Sequence, residues 1–238
     1  MTTSAAAGPH GNALLDRFPE DVRQRLDIAD ERHESHDVMF EPDELPRWAH
    51  FPHFGTVISL TRSTESGTTV EVGIVGWEGV AAVQTLLRAA PTGAEAVVQI
   101  AGSVSRVRLD AIRAAMDESP PVRELVLAFA GGFMAQVSQH ATCNRVHTIE
   151  QRLAKWLLAV RDRIGTDELE LTHDFLSHML GTRRAGATVA VGSLALDGLI
   201  EQNRGSVTIV DRDGLAERSC ECYRAARDLA PPLPPRQG

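Results

Sequence analysis

Lysine is almost absent from this sequence: of the 24 basic residues, Lys155 is the one lysine and the rest are arginines. Cysteine is also scarce, with only Cys143, Cys220 and Cys222. An odd, low count argues against a disulfide framework and favours a reducing cytoplasm. Cytoplasmic localisation is therefore the expectation from cysteine usage.

Long apolar runs are missing too. No stretch approaches the roughly 20 residues that cross a membrane, so no membrane association is expected. The first ten residues lack the basic and apolar segments of a signal peptide and are expected to form a loose tail. The proline-rich segment 231–235 is expected to be extended or disordered. Nucleophile motifs, phosphate-binding loops and paired-carboxylate arrangements are also missing, which predicts that the protein is not an enzyme.

The net charge of -8 is spread unevenly. Residues 1–146 hold 12 arginines against 19 acidic residues, whereas residues 147–238 hold 12 basic residues against 13 acidic ones. The acidity thus belongs mostly to the first part. Basic side chains of the second part can still cluster on one face, where the local field decides which partner binds.

Short β-rich runs separated by turn residues occupy the region from His33 to Val107. The runs are 38–40, 53–60, 68–75, 96–100 and 103–109. Many short strands with turns between them predict a barrel or jelly roll. Before this region, apolar spacing predicts a helix over 14–25, broken at Pro19; after it, another helix is predicted over 109–116.

A long helix is predicted from Ser119 to about Cys143, because Pro120 and Pro121 suit a first helical turn. One stripe along it recurs at steps of three and four: Val122, Leu125, Phe129, Phe133, Val137 and His140. Such a stripe is typical of a dimer seam, and the alternative is the core helix of a monomer. Residues 144–147 are predicted to form a hinge.

The segment from Thr172 to Asp211 is the most informative. Thr172 suits the N-cap of a short amphipathic helix, and Gly181 follows where a left-handed residue is needed. A second helix is predicted over about 183–197, with a two-stranded hairpin around the turn 203–206. An amphipathic helix is also predicted over 148–163, and a short helix over about 215–226. Helix, glycine turn, helix and β-wing is the winged helix-turn-helix pattern.

The run Leu180-Gly181-Thr182-Arg183-Arg184, with Leu194 and Gly198-Leu199-Ile200 after it, resembles the Crp/Fnr family of bacterial transcription regulators. The resemblance implies an α+β chain in three parts. Residues 1–118 would form a double-stranded β-helix (jelly-roll) sensor domain of the cyclic-nucleotide-binding type, residues 119–146 a dimerisation helix and hinge, and residues 147–238 a winged helix-turn-helix domain.

The resemblance also implies a homodimer on double-stranded DNA with a pseudo-palindromic operator, and makes RNA polymerase a further candidate partner. By this resemblance, Arg184 matches the first base-reading position of the family's recognition helix. The remaining candidates for bases or phosphates are Thr172, Thr182, Arg183, Thr188, Arg204 and Ser206. For each arginine, the alternative is a solvated surface side chain. Where many members have Arg-Glu and a second Arg, this chain has Arg184-Ala185 and Val189, which predicts a different operator.

No cofactor or metal is expected. The stretch around Glu78-Gly79 and Pro91 to Ala94 lacks the arginine that holds a cyclic-nucleotide phosphate in the family, so cyclic nucleotide binding is not expected. No cysteine precedes Cys143, which argues against the family's iron–sulfur cluster. The pair Cys220 and Cys222 is too close and too isolated for a usual zinc motif.

Four histidines of the β-rich region could gather around a haem or a metal ion, but they are expected to be surface or hydrogen-bonded groups: His33, His36, His50 and His53. The favoured function is a dimeric transcription regulator. The alternative is a ligand-binding or protein-interaction module, such as a small-molecule, haem or metal sensor, in which DNA binding is weak or vestigial.

Overall fold

The computed structural model describes residues 10–229, apart from the side chains of residues 173, 174 and 227–229. Residues 1–9 of the predicted N-terminal tail and the whole proline-rich segment 231–235 lie outside this range. The chain divides into two compact units. The first unit contains the described residues up to Leu60 and Ile74–Met134, and the second contains Thr61–Gly73 and Ala135–Leu229. The three-part division by residues 118 and 146 stays a prediction. In the described range, no helix is both long and apolar enough to cross a membrane.

Two short helices open the described chain, α1 (Ala13–Asp16) and α2 (Glu20–Arg25). The Asn12 side chain caps α1 by accepting hydrogen bonds from two backbone amides. Pro19 precedes α2 as its N-cap residue, which confirms the predicted break.

Seven strands then form two sheets. They are β1 (Ala29–His33), β2 (Val38–Phe40), β3 (Trp48–Pro52), β4 (Val57–Ser63), β5 (Thr69–Val75), β6 (Glu95–Ile100) and β7 (Gly102–Arg108). One sheet has the order β1-β7-β3 and the other β2-β6-β4-β5. Helix α3 (Val83–Arg88) lies between β5 and β6, and α4 (Leu109–Glu118) follows β7. The predicted N-terminal β-roll is confirmed.

Two strands of this roll were not predicted. Strand β1 is mostly polar and alternates between half-buried and exposed residues, so hydrophobicity does not reveal it; antiparallel pairing with β7 holds it in place. Strand β3 pairs with β7 on the other side. The predicted strand over 53–60 begins only at Val57, because Gly55, with φ at 94°, turns the chain before it.

The long helix α5 (Pro120–Val146) forms where the sequence predicts it, but half of its predicted dimer stripe faces its own chain. Val122, Phe129 and Phe133 are buried. The Phe129 ring stacks on Phe133 at 6.2 Å and fills the space beside Gly79, where an added Cβ would lie 2.0 Å from the ring. These three side chains are therefore core residues of the first unit, a correction to the predicted exposed stripe. Leu125, Val137 and His140 are half-buried.

The predicted hinge at residues 144–147 is shorter than expected, because α5 continues to Val146. Helix α6 (Ile149–Ile164) then begins at Thr148, whose side chain forms a capping box with Gln151. The next elements match the winged pattern: β8 (Glu168–Glu170), α7 (His173–Met179), α8 (Arg184–Leu196), β9 (Ile200–Asn203) and β10 (Ser206–Ile209). These three strands form one antiparallel sheet in the order β8-β10-β9.

The predicted helix over 215–226 is wrong in form. Two helices are present, α9 (Arg212–Arg218) and α10 (Cys222–Leu229), with Ser219 extended between them. Asp211 caps the first by accepting from the amide of Gly214.

The second unit has its own core beneath the helix-turn-helix. Leu153 and Leu157 of α6, Leu176 of α7, Leu194 of α8 and Ile200 of β9 are almost fully buried. Each such side chain contributes about 1.5–3 kcal/mol through burial. The chain is thus an α+β protein, with a β-roll before α5 and a winged helix-turn-helix after it.

Candidate nucleic-acid interface

Helix α8 is amphipathic and presents one face to solvent. Ala187, Val191 and Leu194 are buried on its inner side. Arg184, Ala185, Thr188 and Val189 are exposed on the opposite side, at helical spacing. The outer face therefore presents a guanidinium in the first turn, and a hydroxyl and an isopropyl group one turn further on.

Polar contacts with its neighbours fix the C-terminal half of α8. Ser193 donates a hydrogen bond of 2.6 Å to Glu150 of α6. Arg218 of α9 donates to Glu150 as well and, at 2.6 Å, to Asp197 at the C-cap of α8. The recognition helix candidate is thereby attached to α6 and α9 at the end away from Arg184.

The turn before α8 is also constrained. Gly181 adopts φ of 56°, a left-handed conformation that glycine reaches at little cost. Arg152 of α6 donates a hydrogen bond to the carbonyl oxygen of Leu180. Gly186, a residue that lowers helix propensity, is helical and has close neighbours: a Cβ there would lie 2.8 Å from the Thr182 hydroxyl oxygen and 3.1 Å from Ile149 Cδ1.

Four of the seven predicted DNA-contacting residues line one groove on the surface of the second unit. They are Thr172 at the N-cap of α7, Arg184 at the start of α8, and Arg204 and Ser206 at the wing turn. Leu171, Gly205 and Val207 line it as well. The winged fold thus brings together residues that lie 34 positions apart in sequence.

The other three predicted residues do not line this groove. Arg183 is exposed at the N-cap of α8. Thr188 is exposed on the outer face, one turn after Arg184, and Thr182 is half-buried in the turn. All seven assignments as DNA contacts stay predictions.

Two groove residues were missed by sequence reasoning. Gln202 and Asn203, in the last part of β9, line the groove beside Arg204. Their amide groups both donate and accept hydrogen bonds, as phosphate and base contacts require. Their position directly before the wing turn at Gly205 is the feature of the sequence that could have identified them as candidates.

In the β-roll, two of the candidate ligand histidines lie close to polar side chains. His53 Nε2 lies 2.7 Å from Ser105 Oγ and 3.6 Å from Asp30. His33 lies 3.4 Å from Asp37. His50 is buried, and this burial, with repulsion from His33 and Arg106, lowers its pKa to about 4.

The stretches around Glu78-Gly79 and from Pro91 to Ala94 make local contacts. The Glu78 carboxylate accepts a hydrogen bond of 3.2 Å from the amide of Gly76. The space beside Gly79 holds the Phe129 ring, and Thr92 bonds to Ala94 within the same loop.

One group of metal-ligating side chains does converge among the described residues. Cys143, His147, Cys220 and Cys222 place their ligand atoms within 4.8 Å of one another. The expectation that Cys220 and Cys222 are isolated is therefore wrong, because α5 brings Cys143 and the turn after it brings His147. A hydrogen bond between the thiols of Cys143 and Cys220 lowers the pKa of Cys143 and raises that of Cys220.

Comparison with known proteins agrees with this architecture. The family profile of the Crp-like helix-turn-helix domain matches residues 151–218. Comparison with curated proteins gives no match. Among solved structures, FixK2 from Bradyrhizobium japonicum is similar with a TM-score of 0.70 and 15% identity, over 81% of this chain and 98% of that one.

A transcriptional regulator of the Crp/Fnr family from Eubacterium rectale is similar with a TM-score of 0.67 and 14% identity, over 86% of this chain and 96% of that one. A CRP-family regulator from Thermus thermophilus is similar with a TM-score of 0.66 and 15% identity, over 79% of this chain and 96% of that one. Identities this low establish a shared fold. The chain thus contains a Crp-like helix-turn-helix domain at residues 151–218 and has the fold of the Crp/Fnr family of DNA-binding transcription regulators.

Proposed function

We propose that this protein is a sequence-specific DNA-binding transcription regulator that acts as a homodimer and inserts α8 into the major groove. The observation that supports it best is the groove in which Arg184, from the start of α8, and Arg204, from the wing, lie along one surface. A helix of this width fits the major groove, while the wing reaches the neighbouring backbone.

Base reading is proposed for the outer face of α8. Arg184 can donate two hydrogen bonds to O6 and N7 of a guanine, which is worth about 1–3 kcal/mol of discrimination. Val189 is 72% exposed, unusual for an apolar side chain, and suits contact with a thymine methyl group. Thr188 lies between them on the same face and can meet a base edge or a phosphate.

Phosphate contacts are proposed for the residues around that face. Arg183 precedes the base reader and carries its charge at the start of α8. Thr172 and Thr182 offer hydroxyl groups near the N-termini of α7 and α8, where backbone amides favour anions. Arg204 and Ser206 would contact a phosphate from the wing.

Dimerisation is proposed through the exposed face of α5 in place of the buried stripe. Leu127 is 49% exposed and Met134, two turns later, is 71% exposed. Gly131 lies between them with no atom within 4 Å of an added Cβ, so a partner helix can approach closely there. Dimeric helix-turn-helix proteins bind two half-sites about one helical turn apart, which predicts a pseudo-palindromic operator.

Control by cyclic nucleotide is not part of the proposal. In the loops that would hold the ribose and the phosphate, Glu78 and Thr92 form hydrogen bonds to backbone groups of the same loop. The arginine nearest in sequence to the second loop is Arg88, at the C-terminal end of α3. Calorimetry with cyclic AMP and cyclic GMP is expected to give no binding heat, and micromolar binding would contradict this.

Selection of bound sequences from random double-stranded DNA, with purified protein and no added ligand, tests DNA recognition. We expect enrichment of one inverted repeat. Uniform recovery of all sequences would favour the alternative of an interaction module without specific DNA binding.

Sedimentation analysis tests the dimer. We expect a dimer for the natural sequence and a monomer for Met134→Glu, because a charge would be buried in the seam. Leu45→Glu, at a similarly exposed leucine (51%) outside α5, is the matched control and should remain dimeric. A dimer unaffected by Met134→Glu would place the interface elsewhere.

A further inference from the structure

All three cysteines of the chain meet at one place in the second unit, together with one histidine. Cys143 and His147 lie four residues apart at the end of α5 and just after it. Cys220 lies between α9 and α10 and Cys222 is the first residue of α10, more than 70 residues later. The four ligand atoms lie within 4.8 Å of one another, and the three cysteines are at most 4% exposed. We propose that these four residues form a structural zinc site with three thiolate ligands and one imidazole ligand.

The spacing of the ligand atoms fits a single tetrahedral ion. Cys143 Sγ lies 3.6 Å from Cys220 Sγ, and Cys222 Sγ lies 3.6 Å from His147 Nδ1. Zinc bonds of about 2.3 Å to sulfur and about 2.0–2.1 Å to nitrogen place tetrahedral ligands about 3.5–3.8 Å apart. All ligand atoms lie within 4.8 Å of one another, so the widest pairs must close by up to about 1 Å to bind an ion at the centre.

The same spacing argues against an iron–sulfur cluster. The ligands of such a cluster are divided among two or more iron atoms, so ligands on different irons must stand farther apart than the ligands of one ion. Three sulfurs and one nitrogen in a closed tetrahedron, with no open position, are typical of structural zinc.

The histidine is oriented as a ligand. Its Nε2 lies 3.2 Å from the Glu221 carboxylate, and its Nδ1 faces Cys222. A proton held on Nε2 by the carboxylate leaves the Nδ1 lone pair directed at the cluster. This carboxylate–histidine arrangement is the common second shell of zinc sites, so Glu221 is assigned as a positioning residue.

Other contacts support thiolate ligands. Gln139 donates a hydrogen bond of 2.8 Å from Nε2 to Cys222 Sγ. Three thiolates and one Zn²⁺ carry a net charge of -1, and Lys155 and Arg152 of α6 provide positive charge within electrostatic reach of Cys143. Each ligand thiol would release its proton to solvent on binding Zn²⁺, with no redox change.

The site would attach the end of α5 to the junction of α9 and α10. Arg218, at the end of α9, in turn bonds to Glu150 and to Asp197 at the C-cap of α8. The ion would thus stabilise the part of the unit that holds the recognition helix candidate. The inference depends only on the cluster's geometry and stands whether or not the proposed DNA recognition is correct.

The first experiment measures metal content. Full-length protein without a polyhistidine tag, purified under reducing conditions without chelator, is expected to hold about one zinc per chain after dialysis. Replacement by cobalt(II) should give the intense visible bands of a tetrahedral thiolate site. Protein without zinc and without a cobalt spectrum would overturn the proposal.

Variants locate the site. Cys143→Ser and Cys220→Ser should each lose zinc, although they can also impair folding. Glu221→Gln keeps the ligands and should weaken zinc binding about 10–100-fold, measured by competition with a chromophoric chelator. Glu217→Gln, an exposed carboxylate of α9, is the matched control and should bind zinc as the natural sequence does. Equal affinities for Glu221→Gln and Glu217→Gln would contradict the assigned geometry.

Thiol alkylation distinguishes zinc from a disulfide between Cys143 and Cys220. With zinc bound, all three thiols should resist alkylation and become reactive once a chelator is added. A mass spectrum of freshly purified protein showing two oxidised thiols, with no effect of chelator, would establish the disulfide and overturn the zinc site.

Discussion

The indole of Trp156 donates a hydrogen bond to the carboxylate of Glu71, although 85 residues separate them in sequence. Nε1 lies 3.1 Å from one carboxylate oxygen and 3.3 Å from the other. Both side chains are at most 3% exposed. A buried carboxylate loses its hydration, so a directed donor offsets part of that cost. The bond connects β5 to α6 within the second unit.

Trp156→Phe should destabilise the protein by about 1–3 kcal/mol, because it removes one hydrogen-bond donor from the buried Glu71 carboxylate. Urea unfolding followed by circular dichroism measures this free energy. Trp77→Phe, a half-buried tryptophan that packs edge-to-face on Phe54, is the control and should cost less. Equal losses for the two variants would show that ring volume, rather than the hydrogen bond, sets the effect.

Local patterns predicted most of the fold. The spacing of apolar residues, the proline start of α5 and the cap at Thr172 depend on near neighbours in sequence, so they could be read directly. Strand β1 could not, because its polar residues gain their conformation from pairing with β7. The contact between Trp156 and Glu71 is likewise set by tertiary structure, which no periodicity encodes.

The candidate sites also include residues that local sequence patterns predict and residues that only the tertiary structure brings together. The winged pattern placed Arg184 and Arg204, and the structure brings both to one groove. The apolar stripe on α5 is compatible with a dimer interface or with a core, and the sequence alone does not distinguish them. In the structure, Phe129 and Phe133 are core residues. The cysteine cluster was missed because Cys143 lies 77 residues from Cys220, far outside any short zinc motif.

Arg184→Ala should weaken the preference for the selected operator. The loss of a bidentate contact to guanine is expected to lower specific affinity by about 1–3 kcal/mol, with little change in affinity for scrambled DNA. Fluorescence anisotropy at one fixed salt concentration measures both affinities.

Arg32→Ala is the matched control for this experiment. Arg32 is exposed on β1, in the first unit, and its removal changes the net charge by the same amount. It should leave the preference intact. An unchanged footprint for Arg184→Ala would remove Arg184 from base recognition.

Arg204→Ala should weaken binding to all sequences alike. A wing arginine that neutralises one phosphate contributes about 0.9 to the slope of log affinity against log salt, and the proposed homodimer carries two of them, so the slope should fall by about 2. Titrations at several salt concentrations, on operator and scrambled DNA, measure it. Arg62→Ala, at an exposed arginine of the same unit, should keep the natural slope. A loss confined to the operator would instead make Arg204 a base reader.

The lowered pKa of His50 predicts how the free energy of unfolding depends on pH. Its ring is 7% exposed, and burial, with repulsion from His33 and Arg106, lowers its pKa to about 4 from the ordinary 6.5. Between these two values the unfolded chain binds a proton that the native protein does not. The free energy of unfolding should therefore be fully retained above pH 6.5 and fall as the pH drops towards 4.

The size of the His50 contribution can be separated by substitution. A shift of this magnitude corresponds to about 3 kcal/mol across the window, which His50→Gln should remove from the pH dependence, whatever the variant's absolute stability. Urea unfolding at pH values from 4 to 7 measures the slope of the free energy of unfolding against pH for the natural sequence and for His50→Gln. His178→Gln, at an exposed histidine of α7, should keep the slope of the natural sequence. If His50→Gln kept that slope as well, the native protein would have to accept a proton on His50 as readily as the unfolded chain does, and burial could not be holding the ring neutral.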